Sequence, residues 1–146
     1  MMKPFIDKIK SYNRKVDAVI VWDKINAGLG FMKYRRQCEF ILFINGKRNY
    51  TKGDLQDIDM WRISKGNTAK YVHATQKPIR VPARAIRNSS EINDTIFDLF
   101  CGSGSTLIAC EQMRRKCSIM ELDTHFCDVI IERYEKFTGE KAKIVT

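Results

Sequence analysis

The chain has 146 residues, 44% hydrophobic and 29% charged, with 26 Lys plus Arg against 17 Asp plus Glu for a formal charge of +9. That balance belongs to a soluble globular domain of ordinary size and gives no basis for long disorder. No apolar run approaches the ~20 residues of a membrane helix, and Met1-Met2-Lys3-Pro4-Phe5 carries no apolar leader, so a cytoplasmic protein is expected; the excess positive charge favours phosphate-rich partners such as DNA.

Phe5, Ile6, Ile9 and Tyr12 recur at helical spacing among lysines and predict a short amphipathic helix. Ala18 to Trp22, continuous in apolar and β-branched residues, predicts a buried strand, followed by a polar loop with Asn26, Gly28 and Gly30. Cys38 to Ile44 predicts a second strand ended by the turn pair Asn45-Gly46. From Lys47 to Tyr71 the sequence is polar, with a short strand at Met60 to Ile63. Pro78 then opens a helical pattern in which Ile79, Ala83 and Ile86 share a face; Pro82 places the start of the regular helix at that residue, and it ends near Ser89-Ser90.

A strand over Thr95 to Phe100, a Gly/Ser turn, a helix from Ser105 to Arg115 and a strand over Cys117 to Leu122 come next. Asp123 or Thr124 caps a last helix through Phe137, Gly139 stops it, and Lys143 to Val145 begins another strand. Strand and helix alternating in this way predict a parallel α/β sheet. The five cysteines, Cys38, Cys101, Cys110, Cys117 and Cys127, contain no C-x-x-C pair, so buried free thiols are expected and no metal site.

The segment Phe97-Asp98-Leu99-Phe100-Cys101-Gly102-Ser103-Gly104-Ser105-Thr106 carries the chemistry. Gly102 and Gly104 let the backbone turn sharply and approach a ligand without a Cβ in the way, where a strand feeds a helix whose N-terminal amides face that ligand. Glu121 follows Asp98 by 23 residues, close to the spacing at which an acid accepts hydrogen bonds from the two hydroxyls of a ribose. A glycine turn alone is common for packing reasons. Loop, helix, second strand and terminal acid in this order point to a nucleotide-like ligand, either NAD or an adenosyl cofactor.

The stretch D-L-F-C-G-S-G-S-T resembles the D-P-F-x-G-S-G-T-T cofactor motif of S-adenosylmethionine-dependent DNA amino-methyltransferases of the beta arrangement, where it sits late in the chain. His73-Ala74-Thr75-Gln76-Lys77-Pro78, followed by Ser89-Ser90, resembles the family's H-x-x-Q-K-P segment, which contacts the methionine end of the cofactor. Glu121-Leu122-Asp123, Arg133 and Thr138-Gly139 resemble its acid, helix and closing turn. W-D-K-I-N-A-G-L-G-F and Q-C-E-F-I-L-F are similar to its W-x-K-x-N…G and H-E-x-I-L-F region, with Gln37-Cys38 in place of the usual histidine context.

The resemblance covers nearly everything after residue 17. It implies a Rossmann-like methyltransferase sheet and makes Asp98, Phe100, Cys101, Gly102, Ser103, Gly104, Ser105 and Thr106 the cofactor loop. Glu121 becomes the ribose ligand, and Gln76, Lys77 and Pro78 the methionine-end contact, with S-adenosyl-L-methionine the cofactor and DNA the substrate. Leu99 and Ser105 stand where proline and threonine are usual, changes that a strand end and a helix cap tolerate.

A larger departure concerns the Asp/Asn/Ser-Pro-Pro-aromatic tetrapeptide with which the family holds a flipped base. The three prolines here are Pro4, Pro78 and Pro82, and no two are adjacent. No catalytic residue is assigned, and a single partial methyltransferase domain over 1–146 is expected, with central catalytic strands missing. Residues 1–72 would form a strand pair and a short target-recognition insert, and 73–146 the cofactor-binding part. Two readings follow: the cofactor-binding portion of a DNA methyltransferase, inactive alone, or a non-catalytic DNA- or partner-binding remnant. The second includes one half of a split enzyme and self-association through an unpaired sheet edge.

Overall fold

The structure is a computed structural model that describes residues 3–28, 31, 33–44, 46, 57–66, 71 and 76–145. The sequence expectations for Gly30, Asn45, Lys47, Arg48, His73, Ala74 and Thr75 lie outside the described residues. The chain divides into two compact units, Met1–Ser64 and Lys65–Thr146.

In the first unit, helix α1 (Lys3–Ser11) precedes strands β1 (Ala18–Asp23), β2 (Cys38–Phe43) and β3 (Met60–Arg62). β1 is central, antiparallel to β2 with Ala18 opposite Phe43 and Asp23 opposite Cys38, and parallel to β3 with Trp22 opposite Trp61. The core here is aromatic: Trp22, Trp61 and Ile63 are buried, and the Trp22 indole N–H donates to the Ile63 carbonyl at 2.8 Å. A buried indole keeps its apolar contacts only if its N–H finds an acceptor, and the backbone just past β3 supplies one.

The apolar run of β1 predicts burial along its length, yet Trp22 alone is buried and Val19 is 36% exposed. α1 forms as its spacing predicts but contributes no buried residue, leaving Phe5 and Tyr12 each 67% exposed. Asp23 ties the strand ends together. Its Oδ1 accepts from the Ile25 amide and Gln37 Nε2, both at 2.8 Å, and its Oδ2 from Arg62 Nε at 3.2 Å. Gln37, then the Ile25 amide, lead in holding this carboxyl below the usual carboxylate range. The bond to Ile25 also holds a β-branched residue at φ +70°, a left-handed conformation that such residues adopt only when neighbours enforce it.

In the second unit, α2 (Arg80–Ser89), β4 (Thr95–Asp98), α3 (Ser105–Gln112), β5 (Lys116–Ile119) and α4 (Thr124–Thr138) follow in order. β4 and β5 pair in parallel, Thr95 opposite Lys116 and Asp98 opposite Ile119, with α3 as the crossover between them. The expected parallel β-α-β alternation is present. α2 packs on α3, and α3 on β5 and α4. Ile86, Ala109 and Cys110 form the buried centre, surrounded by Ile79, Ala83, Ile96, Met113 and Cys117.

Several boundaries differ from the pattern in the sequence. α2 begins at Arg80, ahead of Pro82, because Pro82 falls in the first turn, where a missing N–H leaves no helical bond unmade. β4 stops at Asp98, whose Oδ1 accepts the Phe100 N–H at 3.0 Å and turns the chain. α3 ends at Gln112 because Arg114 adopts φ +57° and reverses the chain toward β5, which runs Lys116–Ile119 and stops short of Leu122. Lys143 to Val145 form no strand; Ile144 and Val145 lie more than nine-tenths exposed beyond the left-handed Gly139 cap. Asp123 rather than Thr124 caps α4, accepting from the His125 N–H at 2.9 Å.

The thiols are unpaired, but not all are buried as expected: Cys38 is exposed, Cys117 and Cys127 are intermediate, and Cys101 and Cys110 are buried. Cys38 starts β2, which among the described residues pairs with β1 on one edge only. Burial first, then the Asp98 charge, pushes the Cys101 thiol up to about 12; burial first, then Cys110, does the same for Cys117; Cys110 is raised as well, mainly by burial. All three stay protonated at neutral pH and act as small apolar side chains.

Replacing Ile86 by Ala is expected to cost about 2–5 kcal/mol in urea unfolding, whereas Lys143→Ala changes stability by under about 0.5 kcal/mol. Iodoacetamide at pH 8 is expected to label Cys38 in the native protein and Cys101, Cys110 and Cys117 only after denaturation, as read by peptide mass spectrometry. Because the folded-state thiol values lie above the ordinary 9.0, their contribution to stability is complete below about pH 9 and is lost progressively toward pH 12. Equal labelling rates at all five cysteines would contradict this arrangement.

Candidate functional site

The glycine loop lies where β4 feeds α3, at the carboxyl ends of two parallel strands, the edge at which open α/β sheets place ligand crevices. Strand pairing runs on past β5: the Met120 N–H donates to Asp98 O at 2.9 Å and the Cys101 N–H to Met120 O at 3.0 Å. These rungs carry the chain ends side by side, so Glu121 arrives opposite the turn. Its Oε2 accepts the Gly102 N–H at 2.7 Å, and its Oε1 accepts the Leu122 and Asp123 N–H groups at 2.9 and 3.1 Å. The acid is thus locked in place by three main-chain donors and faces the glycine bend.

Gly102 and Gly104 have φ +55° and +78°, values at which an L side chain is strained. Nothing lies within 4 Å of a Cβ built on Gly102, whereas a Cβ built on Gly104 would come to 3.4 Å from the Ile130 side chain of α4. One glycine therefore leaves open space in front of the bend, and the other seats the loop on α4. Gly104 is also the residue before α3, whose first N–H groups have no partners within the helix.

The segment around Gln76, Lys77 and Pro78 is brought to the same place. Ser105 Oγ donates to the Lys77 carbonyl at 2.8 Å, which fixes this segment against the first residue of α3. Gln76 and Pro78 are half-buried and Lys77 is exposed. Cys101, Ser103 and Ser105 are buried, Thr106 is half-buried on the first turn of α3, and Phe100 is 89% exposed beside the loop. Asp98 takes a local role, accepting the Phe100 amide at the strand end.

The structure thus gathers the sequence-derived residues around one bend. It adds two that the loop motif does not reveal, Ile130 and Arg133, one helical turn apart on α4. Arg133 Nη1 donates to the Ser103 carbonyl at 2.6 Å and to its Oγ at 3.2 Å. In sequence Arg133 stands out only through the resemblance of its helix to the family's, and nothing local signals a contact 30 residues away.

The profile of the DNA methylase family of N6/N4 methyltransferases matches residues 2–132. A type II methyltransferase of Moraxella bovis, M2.MboI, is 29% identical over 146 aligned positions that cover 89% of this chain and 54% of that protein. The chain therefore spans about half the length of this curated relative. Among solved structures, the complex of M1.HpyAVI with SAM superposes with a TM-score of 0.75 at 24% identity, covering 91% of this chain and 69% of that one. The cytosine-N4-specific PvuII DNA methyltransferase superposes with a TM-score of 0.66 at 16% identity, over 96% of this chain and 64% of that one.

Identities this low speak to the fold, which is the α/β Rossmann-like architecture that the family resemblance implied. No helix among the described residues is long and apolar enough to cross a membrane. With its profile match spanning nearly the whole sequence, the chain is a member of the DNA methylase family of N6/N4 methyltransferases.

Proposed function

We propose that the bend after β4 holds S-adenosyl-L-methionine, and that the chain is the cofactor-binding portion of a DNA methyltransferase acting on the exocyclic amine of adenine or cytosine. The carrying observation is the Glu121 carboxylate held at the glycine bend by the Gly102 amide. In this reading Glu121 accepts the ribose hydroxyls, and the open space before Gly102 admits the ligand where any side chain would intrude. The first amides of α3 face the carboxylate of the methionine end, with Gln76, Lys77 and Pro78 beside it through the Ser105 bond to Lys77. Phe100 offers an exposed apolar surface at the same edge. When bound, the cofactor supplies an electrophilic methyl group on sulfur.

A Pro-Pro-aromatic base clamp is not among this chain's residues, since no two of its prolines are adjacent. Methyl transfer by this chain alone is therefore not expected.

A second reading, a module that works with a separately encoded catalytic half or by self-association, has its own support. β5 is the one partner of β4 among the described residues. Phe97 on β4, and Leu99 and Met120 just past the ends of β4 and β5, are 72%, 59% and 64% exposed. Exposed apolar residues beside an unpaired strand edge invite another polypeptide.

Calorimetric titration with S-adenosylmethionine is expected to show saturable binding, and ligand at about 100 times its dissociation constant to stabilise the fold by about 2.7 kcal/mol. Absence of both heat and thermal stabilisation would refute the cofactor reading, and binding of NAD instead would reassign the site to a dehydrogenase type. Glu121→Ala is expected to weaken cofactor binding by about 1.5–3 kcal/mol, more than tenfold, the scale of a hydrogen bond to a charged group. Transfer of a labelled methyl group to duplex DNA should be undetectable with the chain alone and appear only with a second polypeptide carrying the proline pair; turnover by the chain alone would overturn the expected inactivity.

A further inference from the structure

We infer that Arg133 of α4 is a positioning residue that sets the backbone of the glycine loop, through its paired contacts with Ser103, in the shape that receives the cofactor. This rests on the cofactor reading of the loop given above. Arg133 lies 30 residues from Ser103 in sequence, yet Nη1 reaches both the Ser103 carbonyl at 2.6 Å and its hydroxyl at 3.2 Å. Ser103 is only 4% exposed, so the pair is shielded from water, which would otherwise compete for both acceptors. The guanidinium is half-buried, and that burial favours its neutral form.

The loop needs such a hold because its own sequence supplies little rigidity. Gly102 and Gly104 flank Ser103, both at positive φ, and glycine loses more conformational freedom on ordering than any other residue. A bend free to sample other conformations would have to be ordered by the ligand, at a cost in affinity; a bend held in advance avoids that cost. Besides the turn's own Gly104 N–H to Cys101 carbonyl bond, side chains from outside the bend hold it: Glu121 on the Gly102 amide and Arg133 on Ser103, with Ile130 filling the space a Gly104 Cβ would approach. The Gly104 N–H closes the turn locally on the Cys101 carbonyl at 3.0 Å, while Glu121 would also meet the ligand and Ile130 is apolar, so Arg133 supplies the long-range polar tie between the central peptide and a neighbouring helix. With its carbonyl held by the guanidinium and its N–H by the Cys101 carbonyl, the Ser103–Gly104 peptide is fixed in plane at both ends, and with it the direction in which α3 starts.

The test compares wild type, Arg133→Met, Arg133→Lys and, as a charge control, Arg87→Met, which alters an exposed arginine of α2. Two readouts are used: S-adenosylmethionine affinity by calorimetry, and hydrogen exchange of the peptide spanning 101–107 in ligand-free protein. Arg133→Met is expected to weaken binding at least tenfold and to speed exchange in the loop, with helical circular dichroism retained. Arg133→Lys, which keeps one charged donor, should fall between, and Arg87→Met should bind within about twofold of wild type.

Should Arg133→Met fail to fold, the lysine variant decides by the same two readouts. Wild type that binds while Arg133→Met binds equally well, or loop exchange that does not change, overturns the inference. Wild type that fails to bind refutes the cofactor reading itself, and faster loop exchange in the variant would then confine Arg133 to a structural role, overturning its part in ligand binding.

Discussion

The bond from the Gly102 amide to the Glu121 carboxylate is the constraint on which the candidate site depends. It exists because β4 and β5 run parallel in a register that places Asp98 opposite Ile119, so both chains leave the sheet on the same side. Two further rungs, Met120 to Asp98 and Cys101 to Met120, extend that register beyond the strands and deliver the acid to the turn. With main-chain amides on both its oxygens, the carboxylate is preorganised and needs no rearrangement to face a polar ligand.

The elements around the bend supply its rigidity. α4 lends Ile130 and Arg133 from one face, and α3 lends Ser105, which reaches back to the Lys77 carbonyl. The inner thiols fit the same logic: Cys101 at the bend and Cys110 and Cys117 in the core around Ile86 and Ala109 stay protonated, so they add packing without adding charge. Glycine conformation, carboxylate placement and helix packing thus converge on one short segment.

The first unit answers a different demand. Among the described residues its sheet has three strands and no helix burying residues against it, and polar ties gather at one end: Asp23 holds Ile25, Gln37 and Arg62, and Lys24 pairs with Glu39 at 3.6 Å. Trp22 and Trp61 provide the apolar counterpart. The left-handed Ile25 at the carboxyl end of β1 is the cost of that turn, and the Asp23 oxygen holds its amide in place.

Local chemistry made much of this legible from the sequence alone. Period and composition identified all nine helices and strands among the described residues, and glycine, serine and acid spacing marked the bend and its carboxylate. Where local signals compete, the boundaries shifted: Asp98 ended β4 early, Arg114 broke α3, Pro82 was absorbed in a first turn, and Lys143 to Val145 found no neighbour to pair with. Burial of β1 and Cys38 was overestimated because an apolar run says nothing about whether another element covers it.

Only the tertiary structure decided which groups meet. Arg133 on Ser103, Ile130 on Gly104 and Ser105 on Lys77 join residues roughly 25 to 30 positions apart, distances over which helix and strand periods carry no information. Sequence pattern records the conformation a segment prefers. The contacts that lock a glycine-rich bend arise when packing brings separate segments together, and that depends on the register and direction of every element between them.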